Sequence, residues 1–409
     1  MWNTLIITAV AILMTSGAAA ATPDPRCLEN GVIMVAAPYL DQPYCTVLPR
    51  GGAPRVLCTI TANTGAGEGL PGEHVASLYS DDGGRTWSNL TSLEPDVTVD
   101  NAYSNIVATP SGRVWVLYNI NLHNVTTLNG KTISRTDTLG LMVARHSDDA
   151  GDSWSSERYP VPIPVTAIDK ANSFFTATPP QEVQMFWEVD QIKGACDSMY
   201  CTSTPYFAFT KIGTYSYLPP EEVFIMTSPN LMTEPNAALV TWDMLPAGAH
   251  GLPAPGNRNE TIFEEPHVLP LAAGFYVTGR TNTGYLAATS TMDPAANSGW
   301  TPTGFAHYYE TAAKPGQLPS PSGQVLKNPR GPTTSKRISR GKYLLLYYFN
   351  SNTGFTNRNP YWLSAGVDAG NATVLWSQPE VVLYDKADVT ERPGYPDFVQ
   401  LGDGTVAIT

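Results

Sequence analysis

An octet that occurs twice constrains this chain more than any other feature. SDDGGRTW at residues 80–87 returns as SDDAGDSW at residues 147–154, with the shared spelling S-x-D-x-G-x-[ST]-W. Self-similarity of this kind marks one supersecondary unit used repeatedly. Each residue type has a mechanical use in a tight hairpin. The Asp carboxylate accepts from turn N–H groups, and the Gly tolerates positive φ. The Trp packs its ring into the layer beneath, while the Ser or Thr hydroxyl caps local backbone. Strand-like runs precede several copies: VASLY at 75–79, GLMVAR at 140–145 and YLAA at 285–288. Weaker copies follow. Ser228 and Asn230 lead to Thr241 and Trp242, Ser290 and Asp293 lead to Ser298 and Trp300, and Asp368 leads to Trp376 and Ser377. These octets read as folding turns and not as catalytic groups.

Composition agrees with a chain of strands and turns. With 42% hydrophobic and 15% charged residues, the 409-residue chain is not generally disordered. Its 34 Gly, 35 Pro, 20 Tyr and 9 Trp favour an all-β class over a helical bundle. A net charge of −12 argues against a nucleic-acid partner. Residues 5–14 form an apolar run too short to span a bilayer, and small residues follow at 17–21. The expectation is a signal peptide over 1–21, an exported product with no membrane span, and one domain over 22–409. Residues 1–4 lack the usual Lys or Arg. The end, GDGTVAIT at 402–409, reads as a turn and a strand stopped in mid-run, so C-terminal truncation is expected. Of five cysteines, Cys196 and Cys201 are spaced to staple one loop, and the pairing of Cys27, Cys45 and Cys58 stays open. Four N-x-Thr sequons, at Asn89, Asn124, Asn259 and Asn371, suit a secreted glycoprotein. Zinc-ligand spacing is absent, and neither a metal nor a cofactor is expected.

The octets closely resemble the Asp-box of secreted BNR-repeat proteins of the sialidase superfamily. The resemblance runs from about residue 40 to the end. It is carried also by EEPH at 264–267 with Arg280, NPR at 328–330, RNPYWL at 358–363 and WSQPE at 376–380. It implies a β-propeller of four-stranded blades with an axial ligand site. Blades are expected over roughly 45–92, 114–154, 182–242, 264–300 and 342–376, with an incomplete one from Asp397. Six blades are favoured, and seven is the alternative because the third unit is long. Residues 31–36 are the strand expected to close the ring on the last blade, since an open edge would be exposed. A looser resemblance is to propeller enzymes that cleave rhamnose from glucuronate.

The resemblance also nominates site residues. Glu265 and Arg280, both at strand ends, are similar to the Glu and second Arg of sialidases. Arg280 would clamp a sugar carboxylate, and Glu265 would polarise a nucleophile or act as base. The alternative is an ordinary charge pair. Arg330, after the restricting Pro329, is another carboxylate anchor. Arg358 is a third, with cation–π packing as its alternative. Tyr395 resembles the sialidase Tyr nucleophile in its late position, and a plain turn is the competing reading. His74, heading a strand, suits proton transfer. Polar residues gather before the second octet (Tyr103, Asn105, Asn119, Asn121, His123, Arg135, Asp137) and before the third blade (Asp169, Lys170, Asn172). Arg135 and Asn172 are taken from these as substrate-binding. Where sialidases carry Arg-Ile-Pro, residues 42–50 read QPYCTVLPR, so the motif that supplies the first arginine of that family's triad is not matched. The leading expectation is therefore an exo-acting enzyme on a terminal acidic sugar of an oligosaccharide or polysaccharide, with uronate-linked glycans such as rhamnosyl-glucuronate slightly favoured. An exo-α-sialidase, a non-catalytic glycan-binding propeller and a protein-interaction scaffold are the alternatives.

Overall fold

The computed structural model describes residues 7–8, 23–50, 53–65, 67–94, 96, 98–133, 135–173, 175, 183–194, 204–214, 218–293, 295–309, 324–339, 342–348, 358–386, 394–401 and 405–409. The run Arg55–Asn63 shows why strands form. It is rich in Val, Ile and Thr, whose branched side chains suit a pleated surface, and it is buried along its whole length as a central strand.

Successive antiparallel meanders follow the chain. The first holds Tyr39–Leu48, Arg55–Asn63, His74–Ser80 and Thr91–Ser92. The second holds Asn101–Ala108, Val114–Ile120, Leu139–Ser147 and Tyr159–Pro160. The third comprises Gln184–Trp187, Tyr206–Ile212 and Glu221–Thr227, with both Asp243–Leu245 and Leu252–Pro253 on its last long strand. This accounts for its length. The fourth is Glu264–Pro270, Phe275–Arg280, Ala287–Thr291 and Gly304–Phe305. Thr334–Ser339, Lys342–Tyr348, Tyr361–Asp368 and Val374–Trp376 make the fifth, and Phe398–Gln400 pairs with Val406–Ile408.

Bonds between leading strands arrange these sheets around an axis. Asn105 Nδ2 donates to Glu188 Oε1 at 2.8 Å, Val268 N to Asp190 Oδ2 at 3.0 Å, and Lys336 Nζ lies 2.5 Å from Asp397 Oδ1. Cys45 N then donates to Asp397 Oδ2 at 2.8 Å, and Thr409 Oγ1 to Pro43 O at 2.9 Å. The last pair thus meets the first sheet, and the fold is an all-β propeller. The axis narrows to a cavity of about 50 Å³ between Cys45, Ile106, Lys193, Lys336 and Phe398.

Two details differ from the sequence expectation. Val32–Ile33 pairs with Ile7–Thr8, while Met34 packs with Val399 and Ala407; the ring meets through Asp397 and Thr409 instead. The first sheet starts at Tyr39 and not near residue 45. Pro43 has no N–H to donate, and a bulge with Gln42 at φ 56° carries the strand past it.

The two octets build matching turns. Ser80 Oγ accepts from Gly84 N at 2.8 Å, and Asp82 Oδ1 accepts from the N–H groups of Arg85 and Thr86 at 2.9 Å. In the second, Gly151 N donates to Ser147 Oγ and Ser153 N to Asp149 Oδ1, both at 2.8 Å. The weaker copies keep parts of the scheme: Asp293 accepts from Ser298 N at 2.9 Å, and Asn230 Oδ1 from Thr241 N at 3.0 Å. Arg55 pins both full octets, forking onto Asp81 at 2.7 and 2.8 Å and reaching Asp152 at 2.6 Å. Cys45 and Cys58, facing each other in adjacent strands, form a disulfide. Cys27 is buried outside any disulfide among the described residues. Cys196 and Cys201 lie outside the described residues. The four sequon asparagines are exposed. No helix is long and apolar enough to cross a membrane.

Candidate functional site

Backbone bulges build one rim of the axis. The leading strands of the first, second and fourth sheets each break register near their start, with Gln42, Tyr103 and Glu265 at φ 56°, 56° and 46°. A bulge sets two residues against one partner and re-aims their side chains. Asp41, Tyr103, Glu264 and Glu265 therefore converge with groups from distant parts of the chain.

The floor is a tyrosine–carboxylate pair. Tyr395 Oη donates to Glu265 Oε1 at 2.5 Å across 130 positions of sequence, and both side chains are buried. Burial pushes the Tyr395 phenol well above its ordinary value, and Glu265's negative charge adds to this. Burial also raises the Glu265 carboxyl, opposed by the Arg280 guanidinium. The phenol is thus neutral and hydrogen-bonded to a carboxylate of increased basicity.

Two arginines meet beside this pair. Arg280 Nη2 and Nε lie 2.8 and 2.9 Å from Glu264 Oε2, and Nε is 3.1 Å from Glu265 Oε2. Arg330 Nη2 reaches Glu264 Oε1 at 3.4 Å. Arg330 holds φ 62° in a turn fastened by Asn328, which accepts from Gly331 N at 2.6 Å and donates to Gly331 O at 3.1 Å. Arg280 and Arg330 therefore face the same carboxylate on one rim. Burial and the charge of Glu264 push the Glu221 carboxyl well above the usual range.

An acidic group lies beside Gly394. Tyr39 Oη donates to Asp41 Oδ2 at 3.0 Å, and Gln42 N to Asp41 Oδ1 at 2.9 Å. A Cβ on Gly394 would lie 2.8 Å from Asp41 Oδ1 and 4.0 Å from Arg358 Nη1, which puts both groups beside the residue preceding Tyr395. Burial first, then the charge of Glu68, pushes the Asp41 carboxyl up to about 7, with Arg358 opposing. Glu68, exposed at the mouth, pairs with Arg135 at 2.8 Å. Arg135 also bonds Asp137 and lies 3.2 Å from Tyr103 Oη. Among the described residues no cluster of three or more metal-ligating side chains occurs.

Six nominated residues thus belong to one constellation: Glu265, Tyr395, Arg280 and Arg330 directly, Arg358 beside Asp41, and Arg135 through Glu68. Two belong elsewhere. His74 sits on the third strand of the first sheet, with Nδ1 3.2 Å from Gly72 O. A strand head two strands from the axis faces its own loop. Asn172 follows the short helix Ala167–Ala171 and donates to the carbonyls of Ile212 and Thr214, both at 2.7 Å. Its neighbour Asp169 caps that helix and meets Lys211 at 2.5 Å. These polar residues satisfy buried backbone and charge in the third sheet. Sequence reasoning missed Asp41, Glu68 and Glu264. Pro43 two residues after Asp41 was the available signal, because a proline inside a strand marks a bulge.

No family model matches the chain, and no curated protein matches it. Solved structures do. It is similar to the Hadza microbial sialidase Hz136 (14% identity, TM-score 0.53, covering 90% of this chain and 65% of that one). The NanB sialidase from Streptococcus pneumoniae, in a complex, gives 13% identity and TM-score 0.56, with coverage of 91% and 65%. A protein of unknown function from Dyadobacter fermentans gives 13% identity and TM-score 0.55 over 99% and 98% of the two chains. This chain spans 65% of the length of the two sialidases. At these identities the likeness establishes a sialidase-like β-propeller fold.

Proposed function

We propose that this chain is a secreted exo-acting glycoside hydrolase that releases a terminal acidic sugar, with Tyr395 as nucleophile and Glu265 as its base. The observation that carries the reading is the buried 2.5 Å bond from Tyr395 Oη to Glu265 Oε1. A phenol raised by burial is a poor nucleophile alone, and an adjacent carboxylate remedies this. As Tyr395 attacks the anomeric carbon, its proton passes to Glu265, and the bond to the leaving oxygen breaks. Arg280, kept in place by Glu264, and Arg330 on the same carboxylate present guanidinium groups to a sugar carboxylate. Arg358 adds positive charge beside Gly394, acting on both Asp41 and Glu265. In this reading the propeller has six blades, and the partner is an acidic oligosaccharide or polysaccharide.

The tyrosine–glutamate pair favours hydrolysis over elimination, because elimination uses a base at a ring proton and no nucleophile. It supports sialic-acid and uronate-linked substrates alike. Product analysis on sialyl-lactose and gum arabic separates them. Release of the saturated acidic sugar, or of the sugar linked to it, supports the proposal, and abolition by Tyr395→Phe supports the nucleophile. An unsaturated uronate product overturns hydrolysis, and no product from either substrate overturns the enzyme reading.

A further inference from the structure

We propose that the end of the axis away from the candidate active site binds a halide ion, held by Gln191, Lys193 and Lys336. The proposal is independent of the function proposed above. The leading strands that open on the rim at Asp41 and Tyr103 run down the axis, and Thr46 and Val107 further along them line the axial cavity of about 50 Å³. Three charged side chains line that cavity, Lys193, Lys336 and Arg337, and all are cations. Among the described residues no carboxylate lines it. The chain carries a net charge of −12, so a cavity walled only by cations runs against its overall balance.

The cations are fixed from behind. One oxygen of Asp190 meets Lys193 Nζ and, at 2.8 Å, His267 Nδ1. Its other oxygen accepts from Ala208 N at 2.9 Å and Val268 N at 3.0 Å. Lys336 Nζ lies 2.5 Å from Asp397 Oδ1 and donates to Phe398 O at 3.0 Å. An ammonium has three N–H groups, so these two contacts leave one. Gln191 supplies a separate observation. Its side chain lines the cavity and is 2% exposed, and its Nε2 has no hydrogen-bond partner among the described residues. A buried amide left unpaired costs stability, and an acceptor in the cavity removes that cost. The backbone that carries it is pinned, with Ile192 N donating to Asn105 Oδ1 and Lys193 N to Tyr206 O, both at 2.8 Å.

Space and chemistry select the ion. A cavity of about 50 Å³ takes a group the size of one water or a few. A halide accepts N–H bonds from any direction and carries a single charge, so two ammonium groups and one amide serve it. A tetrahedral dianion presents more oxygens than these donors satisfy. The rest of the wall includes Ile106, Ile192 and Phe398, an apolar lining that suits a weakly hydrated ion. Half-buried Ile338 and Gln400 mark where it enters. Bound there, the ion ties the segment that leads the third sheet to the fifth sheet, beside Phe398, where the ring meets.

The test is thermal melting of the intact chain in chloride, bromide, phosphate and gluconate at equal ionic strength. Chloride and bromide should raise the melting temperature over gluconate, by about 2 °C for each tenfold increase above the dissociation constant. Crystals soaked in bromide should show an anomalous peak among Gln191, Lys193 and Lys336. Gln191→Met keeps the bulk and removes the amide. It should melt as high as the wild type in gluconate and lose the halide increment. The wild-type melts and the bromide map decide the matter whether or not that variant folds. Equal melting in all four salts, bromide peaks only elsewhere, or a halide increment retained in Gln191→Met overturns the assignment. A larger rise in phosphate than in chloride overturns the halide, and the proposal with it.

Discussion

Replacing Arg280 by Ala tests whether the site's charges are coupled as the geometry requires. Arg280 is 8% exposed and stands between Glu264 at 0% and Glu265 at 1%. Removing one partner of a buried ion pair leaves an uncompensated charge, which costs about 3–5 kcal/mol. Here the two carboxylates keep some support, since Arg330 remains 3.4 Å from Glu264 and Tyr395 still donates to Glu265 at 2.5 Å. The loss should therefore fall near the lower bound, about 3 kcal/mol. Its pH dependence has a definite sign. The Glu265 carboxyl is already raised by burial, and Arg280 is the charge that opposes the rise. Without Arg280 it rises further. A group whose folded value exceeds its unfolded one stabilises below the unfolded value and loses that contribution as pH climbs through the folded value. The variant should thus be most impaired at about pH 8 and recover towards about pH 5. Urea unfolding at both pH values, read as midpoint shifts at constant slope, measures this. A penalty under about 1 kcal/mol, or one equal at both pH values, would refute the coupled arrangement. Arg280→Lys keeps the charge but not the fork, so it separates stability from carboxylate binding: folding should survive while turnover of a carboxylated sugar collapses.

Three further outcomes follow from the scaffold. Arg55→Met should cost about 2–3 kcal/mol in denaturant, because the guanidinium makes charge-assisted bonds to two octets, while half-exposed Asp81 and Asp152 regain water. Arg55 holds the Asp81 carboxyl below its usual range, so the difference should shrink as acid protonates that group. Asp149→Ala should lower stability by about 1 kcal/mol by removing the bonds its carboxylate accepts from Ser147 and from the exposed Ser153, and Asp149→Asn by less, since Asn230 fills the equivalent place in a weaker turn; thermal melts decide. Gly394→Ala should reduce turnover more than it reduces the melting temperature, because the new Cβ meets Asp41 Oδ1 at 2.8 Å beside Tyr395; normal kinetics in this variant would argue against a substrate seated beside this turn.

Some of the site was legible because the determinants were local. The octets name their turns residue by residue, since Ser, Asp and Gly bond within eight positions. Glu265 and Arg280 lie at adjoining ends of one hairpin, so the local pattern on which the resemblance nominated both was readable in the chain. Tyr395 and Arg330 came only from resemblance, as nothing near them in the chain reports their partners. His74 and Asn172 show the opposite failure. A polar residue at a strand or helix end looks the same whether it meets a substrate or its own backbone, and here His74 faces Gly72 O while Asn172 bonds Ile212 O and Thr214 O.

By itself the order of amino acids determined an all-β chain of repeated hairpins, because alternation, branching and turn chemistry act over a few residues. Only the tertiary structure decided which groups share the rim. Bulges at Gln42, Tyr103 and Glu265 re-aim side chains, and ring closure brings Tyr395 to Glu265 and Gly394 to Asp41. Those pairings depend on the angle and curvature of whole sheets, which no local stretch encodes.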